Sequence, residues 1–296
     1  MVFESPKFHE LKDSCLYKVQ TKRKLAKFLF TSERNLQNLA GPTDRYKCWE
    51  TEKKNGGTRT IEAPYDNLKL VQKRIANLLQ SIQPPEYLMA PVKRRSYVDN
   101  AAVHIRARAF RLLDIEEFFP SCTEKRVFWF FNKVMFCSPD VSAILASIAT
   151  RDGHLPQGSP CSPILAYFSY IDMWNQINEI ACTSDYHLSI YADDITISGK
   201  TIYEHDIWAI KQILYRAGHR YSRSKERRLI NTTAEITGVI VRDDSLLLPN
   251  RQHRKIMVIR SDRAAARSKS YRAKLDQQLR GRLSQAKQIY NHTLSE

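Results

Sequence analysis

Residues 189–198, SIYADDITIS, constrain the fold more tightly than any other stretch. Apolar Ile190, Ala192, Ile195 and Ile197 alternate with polar Ser189, Thr196 and Ser198 on either side of two aspartates. A period of two marks a strand with one buried face. The stretch therefore predicts an antiparallel hairpin with Asp193 and Asp194 at its tip. Aspartate forms turns readily, because its side chain bonds nearby backbone N–H groups, so a surface turn accounts for the pair taken alone. A second acidic position changes that balance. FRLLDIEEFF puts Asp114 near the end of an apolar strand expected over 107–115, where a charge is costly unless it is paired or bound to metal. One of the many arginines could pair with it. Yet two acidic strand ends in a strongly basic chain suit a two-metal phosphoryl-transfer centre, in which carboxylates converge on ions about 3.5–4 Å apart. One ion would lower the pKa of an attacking hydroxyl, and both would stabilise the charge on the transferred phosphoryl oxygens. Mg²⁺ takes carboxylate and phosphate oxygens and keeps some water, so two or three aspartates suffice. A divalent cation would also offset the repulsion between Asp193 and Asp194.

Charge points the same way. The 296 residues carry a formal net charge of +16 at an ordinary 43% hydrophobic content, which implies a polyanionic partner, nucleic acid or an anionic membrane. From residue 251 onward there are twelve Lys/Arg against three Asp/Glu, either a solvated helical face or a phosphate-gripping surface. The most apolar run, VFWFFNKVMF, holds Asn132 and Lys133 and falls short of the roughly 18 residues of a membrane span. MVFESPKFHE lacks the pattern of a secretory signal. Cys15, Cys48, Cys122, Cys137, Cys161 and Cys182 form no CxxC pair, which disfavours zinc and a disulfide framework and fits a reducing cytoplasm.

Along the chain, TKRKLAKFLF and SERNLQNLA read as short helices, with Ser32 an N-cap. RYKCWETEKKNGGTRTIEAP reads as a hairpin around KKNGG, ended by Pro64. NLKLVQKRIANLLQSI, CTEKRVFWFFNKVMF, PDVSAILASIAT, ILAYFSYIDMWNQINEI and EHDIWAIKQILYRAG have helical character, and a short helix is expected over 100–104. DGHLPQGSPCSP is a turn-rich loop, AEITGVIV and SLLLP are short strands, and the basic end is helical with a break near RSKS. Hairpins mixed with helices, without regular βαβ alternation, predict an α+β fold.

Three motifs together resemble the reverse transcriptases. YADD, ending in Asp193 and Asp194, is similar to the (Y/F)xDD motif, LLDIEEFF to the motif of the first catalytic aspartate, and LPQGSPCSP to the PQGxxxSP motif of bacterial members. They stand in the family's order, and the resemblance covers most of the chain, from about residue 45 to the end. NAAVH, from Asn100 to His104, resembles the NAxxH pattern of retron reverse transcriptases, and Ile236, Thr237 and Gly238 their VTG triplet. Read without the resemblance, Asn100 and His104 would be a helix start with a satisfied core histidine, and Thr237–Gly238 a β-bulge.

The resemblance implies a right-hand polymerase: an N-terminal helical segment over 1–44, fingers over 45–106 with part of 120–160, a palm over 107–240 and a basic helical thumb over 241–296. It implies that Asp114, Asp193 and Asp194 are catalytic and bind two Mg²⁺ ions, with Mn²⁺ a possible substitute, and that the Ile115 carbonyl completes one metal's shell. Asp114 and Asp193 would be the direct bridging ligands and Asp194 the auxiliary one. Phe119 would exclude a ribose 2′-OH, or else simply pack beside Phe118. Gln157 would lie beside the incoming nucleotide. Arg59 would meet the triphosphate as a bidentate donor, or else be a solvated hairpin charge. Lys225 matches a lysine that protonates the pyrophosphate leaving group, although Ser222 and Glu226 depart from the family's usual neighbours. Asn100, His104, Ile236, Thr237 and Gly238, with Arg251, Arg254 and Lys255 of the thumb, would bind RNA.

The implied partners are dNTPs, a cognate structured noncoding RNA (msr-msd) with its DNA product, and a separately encoded effector protein, with no membrane. The implied reaction is reverse transcription primed from a guanosine 2′-OH within that RNA. Its branched RNA–DNA product (msDNA) would stay bound, in bacterial anti-phage defence. The rivals are another bacterial reverse transcriptase, of group II intron, diversity-generating or abortive-infection type, or a non-catalytic RNA-binding relic of the fold. NAAVH and ITG speak against the first rival, as does the absence of a long maturase extension. The intact aspartates speak against the second.

Overall fold

The computed structural model describes residues 8–41, 43–52 and 56–294. Two short helices come first, α1 (Lys22–Phe28) and α2 (Glu33–Leu39). Thr21 and Ser32 cap them by accepting from the N–H of Lys24 and Asn35, which satisfies donors that a helix start leaves orphaned. The expected hairpin follows as β1 (Tyr46–Glu52) and β2 (Thr58–Pro64), in register from Tyr46↔Pro64 to Glu52↔Thr58. Its stem is buried and its outer half exposed. Lys53, Lys54 and Asn55 of its turn lie outside the described residues. Helix α3 (Asp66–Leu79) turns Leu68, Val71, Ile75 and Leu79 inward at helical spacing.

A five-stranded sheet carries the centre. Its strands are β3 (Leu88–Ala90), β4 (Ala109–Asp114), β5 (His187–Tyr191), β6 (Asp194–Gly199) and β7 (Arg227–Ile230), in the order β3–β5–β6–β4–β7. Only β3 and β5 run parallel; the other pairs are antiparallel. Between β3 and β4 lies α4 (Tyr97–Ala102), and between β4 and β5 lie α5 (Phe118–Ser121), α6 (Glu124–Trp129), α7 (Pro139–Ala149), α8 (Ser162–Phe168) and α9 (Ile171–Thr183). Helix α10 (Glu204–Arg216) follows β6. One large apolar core unites the N-terminal helices, α3 and α6–α10 with the sheet, and Trp174, Tyr170, Phe130 and Phe131 are among its largest fully buried side chains.

A second core lies beyond β7. Strands β8 (Ala234–Ile236), β9 (Val239–Arg242) and β10 (Ser245–Leu247) form an antiparallel sheet, and α11 (Asn250–Ala265) and α12 (Lys269–Leu294) form a helix pair. Val98 and Ala101 of α4 and Phe110 of β4 join Ile236, Val239, Val241, Leu246, Ile256 and Ile289 there. The expected palm–thumb division at 240 therefore runs through this small sheet.

Three expectations need correction. The helix expected at 100–104 starts earlier, at Tyr97, because Ser96 and Asp99 form a reciprocal capping box; His104 lies past its end. The single helix expected through ILAYFSYIDMWNQINEI is broken at Ser169–Tyr170. There the Tyr170 hydroxyl donates to the Ser121 carbonyl (3.1 Å), and Arg126 Nε donates to the Ser169 carbonyl (2.8 Å), so tertiary bonds replace helical ones. The run after Thr123 leaves α-helix for a π-turn at Phe130–Val134, which turns Phe130 and Phe131 into the core. Among the described residues no helix is long and apolar enough to cross a membrane.

Candidate active site

The β5–β6 hairpin forms as expected, but its two aspartates divide. Tyr191 pairs with Asp194, so the loop is the two residues Ala192 and Asp193, and Asp194 is already the first residue of β6. Ala192 takes a left-handed backbone, φ 56°, an uncommon state for a residue with a side chain and one that tends to collect at functional sites. Across the sheet, Asp114 ends β4 directly opposite Asp194. The Ile115 N–H donates to the Asp193 carbonyl at 2.9 Å. Extended backbone presents N–H and C=O of one residue on the same edge, so the Ile115 carbonyl faces the turn as well. Register alone thus gathers Asp114, Asp193, Asp194 and the Ile115 carbonyl.

The charges there are poorly compensated. Lys225 Nζ lies 2.8 Å from both carboxylate oxygens of Asp114, and this bond raises the lysine's pKa. Burial raises the pKa of Asp193, and the nearby Asp114 adds to that. Asp194 is pushed up to about 7, by burial first and then by Asp193 and Asp114. A nearby cation would hold these two half-buried carboxylates ionised. The donor set is all oxygen, the chemistry that suits Mg²⁺ rather than zinc. No three His, Cys, Asp or Glu side chains among the described residues are already drawn together at metal-holding distance; Asp114 is turned to Lys225 instead.

Glu117, in left-handed backbone at φ 44°, turns the chain into α5. That places half-buried Phe119 five residues after Asp114, its ring 5.6 Å from the ring of Phe118. Phe119 packs on the core and remains partly open. Gln157 sits in the loop before α8, where its carbonyl accepts from the Glu62 N–H of β2 at 2.8 Å. Gly158 allows that approach: at φ 143°, a Cβ there would come 2.7 Å from the Glu62 carbonyl. Arg59 is not drawn to the carboxylates and stands exposed on the outer half of β2, opposite Thr51.

Of the five residues expected to touch RNA from NAAVH and ITG, Asn100 and Thr237 meet, and His104 turns to other partners. Asn100 Nδ2 donates to Thr237 Oγ1 (3.2 Å), which donates to the Tyr97 carbonyl (2.9 Å). Thr237 and Gly238, at φ 46° and 85°, form the two-residue turn between β8 and β9, the conformation of a type I′ hairpin rather than a bulge. His104 is fully buried, with ring nitrogens 2.7 Å from Ser198 and Ser189. Burial leaves it neutral, with its pKa lowered to about 3. Asn100, His104 and Ile236 are all sealed from solvent, which corrects the expectation of direct RNA contact for these three. Arg251 is ion-paired with Glu235. Arg254 and Lys255 are exposed on α11.

Sequence reasoning missed three sets of partners: Lys225 for Asp114, Ser189 and Ser198 for His104, and Arg151 and His154 for Glu62. Each joins residues distant in sequence. The available signal was a lone carboxylate, Glu62, at the buried end of an otherwise exposed strand.

The family described as reverse transcriptase (RNA-dependent DNA polymerase) matches residues 51–241. The chain is 36% identical over 159 residues to the retron Se72 reverse transcriptase of Salmonella heidelberg, covering 52% of this chain and 41% of that one. It is 32% identical over 161 residues to the retron Ec86 reverse transcriptase of Escherichia coli, covering 53% and 50%. To the retron Mx65 reverse transcriptase of Myxococcus xanthus it is 27% identical over 260 residues, covering 78% and 59%. The chain thus spans about half the length of the curated relatives it matches.

Proposed function

The chain belongs to the reverse transcriptase family, and from that premise we propose that it is an RNA-directed DNA polymerase of the retron type. The carrying observation is the register that sets Asp114 opposite Asp194 with Asp193 in the adjoining turn. Asp114, Asp193, Asp194 and the Ile115 carbonyl would hold two Mg²⁺ ions, with Mn²⁺ a possible substitute. When bound, the ions supply a lowered pKa at the attacking hydroxyl and neutralisation at the phosphoryl oxygens. Asp114 and Asp193 are the direct ligands in this reading, and Asp194, paired within β6, the auxiliary one.

The remaining roles follow from placement. Lys225 holds Asp114 while no nucleotide is present, and turns to the triphosphate as it arrives. Phe119 closes the floor beneath the sugar and disfavours a 2′-OH. Gln157 borders the base and sugar, and Arg59 swings in from the hairpin to the phosphates. Arg254 and Lys255, with the other cations of α11 and α12, grip the backbone of a hybrid duplex, which is read by shape more than by sequence. Asn100, His104, Ile236, Thr237 and Gly238 act on RNA indirectly, by setting how α4 and the β8–β9 turn present the surface around them.

Similarity to retron enzymes supports the finer reading: a cognate structured noncoding RNA, priming from a 2′-OH within it, and a branched RNA–DNA that stays bound. It equally supports a place in bacterial anti-phage defence, in the cytoplasm, beside a separately encoded effector. The test is expression with the RNA encoded next to the gene, followed by recovery of bound nucleic acid. A DNA strand whose 5′ end survives RNase only as a 2′-linked ribonucleotide stub supports the proposal. Bound RNA without attached DNA, while an ordinary primed RNA template is copied, would leave a reverse transcriptase that is not a retron enzyme.

A further inference from the structure

We propose that Glu62 is a positioning residue for nucleotide capture: it locks the loop bearing Gln157 to the hairpin bearing Arg59. The inference rests on the polymerase reading above. Glu62 lies on β2 three residues from Arg59, at the point where the hairpin becomes buried. Its backbone N–H donates to the Gln157 carbonyl at 2.8 Å. Its carboxylate meets Arg151 Nη1 at 2.7 Å and His154 Nε2 at 3.0 Å, both in the turn leading into that loop. The side chain is only 7% exposed, so these bonds form where water competes poorly. One residue therefore grips the loop by main chain and side chain together, from a strand whose far end projects into solvent.

The other side of the loop has its own anchor. Gln72 is fully buried; its amide nitrogen donates to the Tyr46 hydroxyl and the Ile148 carbonyl, each 2.8 Å, and its oxygen accepts from Ser159 at 2.7 Å. Ser162 Oγ donates to the Pro156 carbonyl at 2.8 Å. Removing the Glu62 side chain therefore leaves the loop attached at Ser159 and Ser162 and by the main-chain bond to Gln157, and frees the Arg151–His154 turn that leads into it. Arg151 keeps Asp44 at 3.5 Å and Asp152 at 3.7 Å, so the variant buries no uncompensated charge. The angle of the Arg59 hairpin and the position of Gln157 are then coupled by one main-chain bond instead of by main chain and side chain together, and binding energy is spent on aligning them.

The experiment measures dNTP incorporation on a primed RNA template together with backbone amide exchange over 155–163. For Glu62→Ala we expect KM for dNTP to rise about tenfold with kcat within about twofold, and exchange to quicken at the loop but not in β4–β6. Glu62→Gln, which keeps an acceptor for Arg151, should restore most of the affinity. Glu62→Ala combined with His154→Ala should be little worse than Glu62→Ala alone. Wild-type KM and exchange in Glu62→Ala would overturn the assignment. So would a loss of kcat and melting temperature shared by Glu62→Gln, which marks a merely structural carboxylate. An inactive wild type would defeat the polymerase reading instead, and the exchange rates would still decide the clamp.

Discussion

The two ends of the β5–β6 hairpin handle buried polarity in opposite ways. At the inner end, His104 reaches across both strands to Ser189 and Ser198, and each ring nitrogen has a partner at 2.7 Å. At the tip, Asp193 and Asp194 are held against Asp114, and Lys225 in reach bonds Asp114 alone. Satisfied buried polar groups stabilise and specify a fold. Uncompensated ones cost stability and persist where a ligand supplies the missing charge. Two motifs that looked alike as short polar signatures thus differ in kind: one closes the structure and the other leaves it open.

Substitutions should separate the ends. The largest effect is at the tip. Asp193→Asn and Asp194→Asn should each lower RNA-templated DNA synthesis by on the order of 10³-fold, while the melting temperature without divalent cation stays level or rises. A parallel loss of activity and melting temperature would make the tip structural too. His104→Ala should do the reverse. It leaves two buried serines without their partner and opens a cavity, at about 2–4 kcal/mol in chemical denaturation. The activity remaining per folded molecule should be near wild type, and a selective loss of activity at full stability would break the comparison.

Acidity should move the two ends in opposite directions. His104 is neutral in the fold, with a pKa near 3 against an ordinary 6.5. Its stabilising bonds are fully present above about pH 6.5 and are lost as pH falls toward 3. Asp194 is raised from 3.8 to about 7. Its protonated form suits the metal-free fold, so stability is fullest below about pH 4 and declines as pH rises to 7. The advantage of Asp194→Asn in melting temperature without metal should grow from pH 4 to 7 and then level off. A constant advantage across that range would contradict the buried-carboxylate account. The smallest effect belongs to Thr237→Ala, which removes the bonds to Asn100 and the Tyr97 carbonyl and should cost about 1–2 kcal/mol. A larger loss of cognate RNA binding than of stability would show that the turn's surface recognises RNA directly.

Much of the site was legible because its logic is local. Alternation around the two aspartates gives the hairpin, and an apolar run ending in Asp114 gives its neighbour strand. What alternation cannot give is register. Whether Asp194 belongs to the turn or to the strand depends on Tyr191 pairing with it, a choice made by cross-strand packing. Partners were illegible for the same reason. Asn100 and Thr237 are 137 residues apart in the chain, and Asp114 and Lys225 are 111 apart. Helix ends with caps, such as Ser32 and Ser96, carry a local signal; the break at Ser169–Tyr170 is set by Ser121 and Arg126 and carries none.

The most direct measurement is incorporation of labelled dNTP on an RNA template annealed to a DNA primer, with Mg²⁺, by the wild-type chain and by Asp194→Asn at equal folded concentration. Primer extension by the wild type, abolished in Asp194→Asn while RNA binding is retained, is the predicted result. Extension by both proteins, or by neither across a range of salt concentrations, would contradict the assignment of the β4–β6 carboxylates as the seat of the metal ions and the nucleotide.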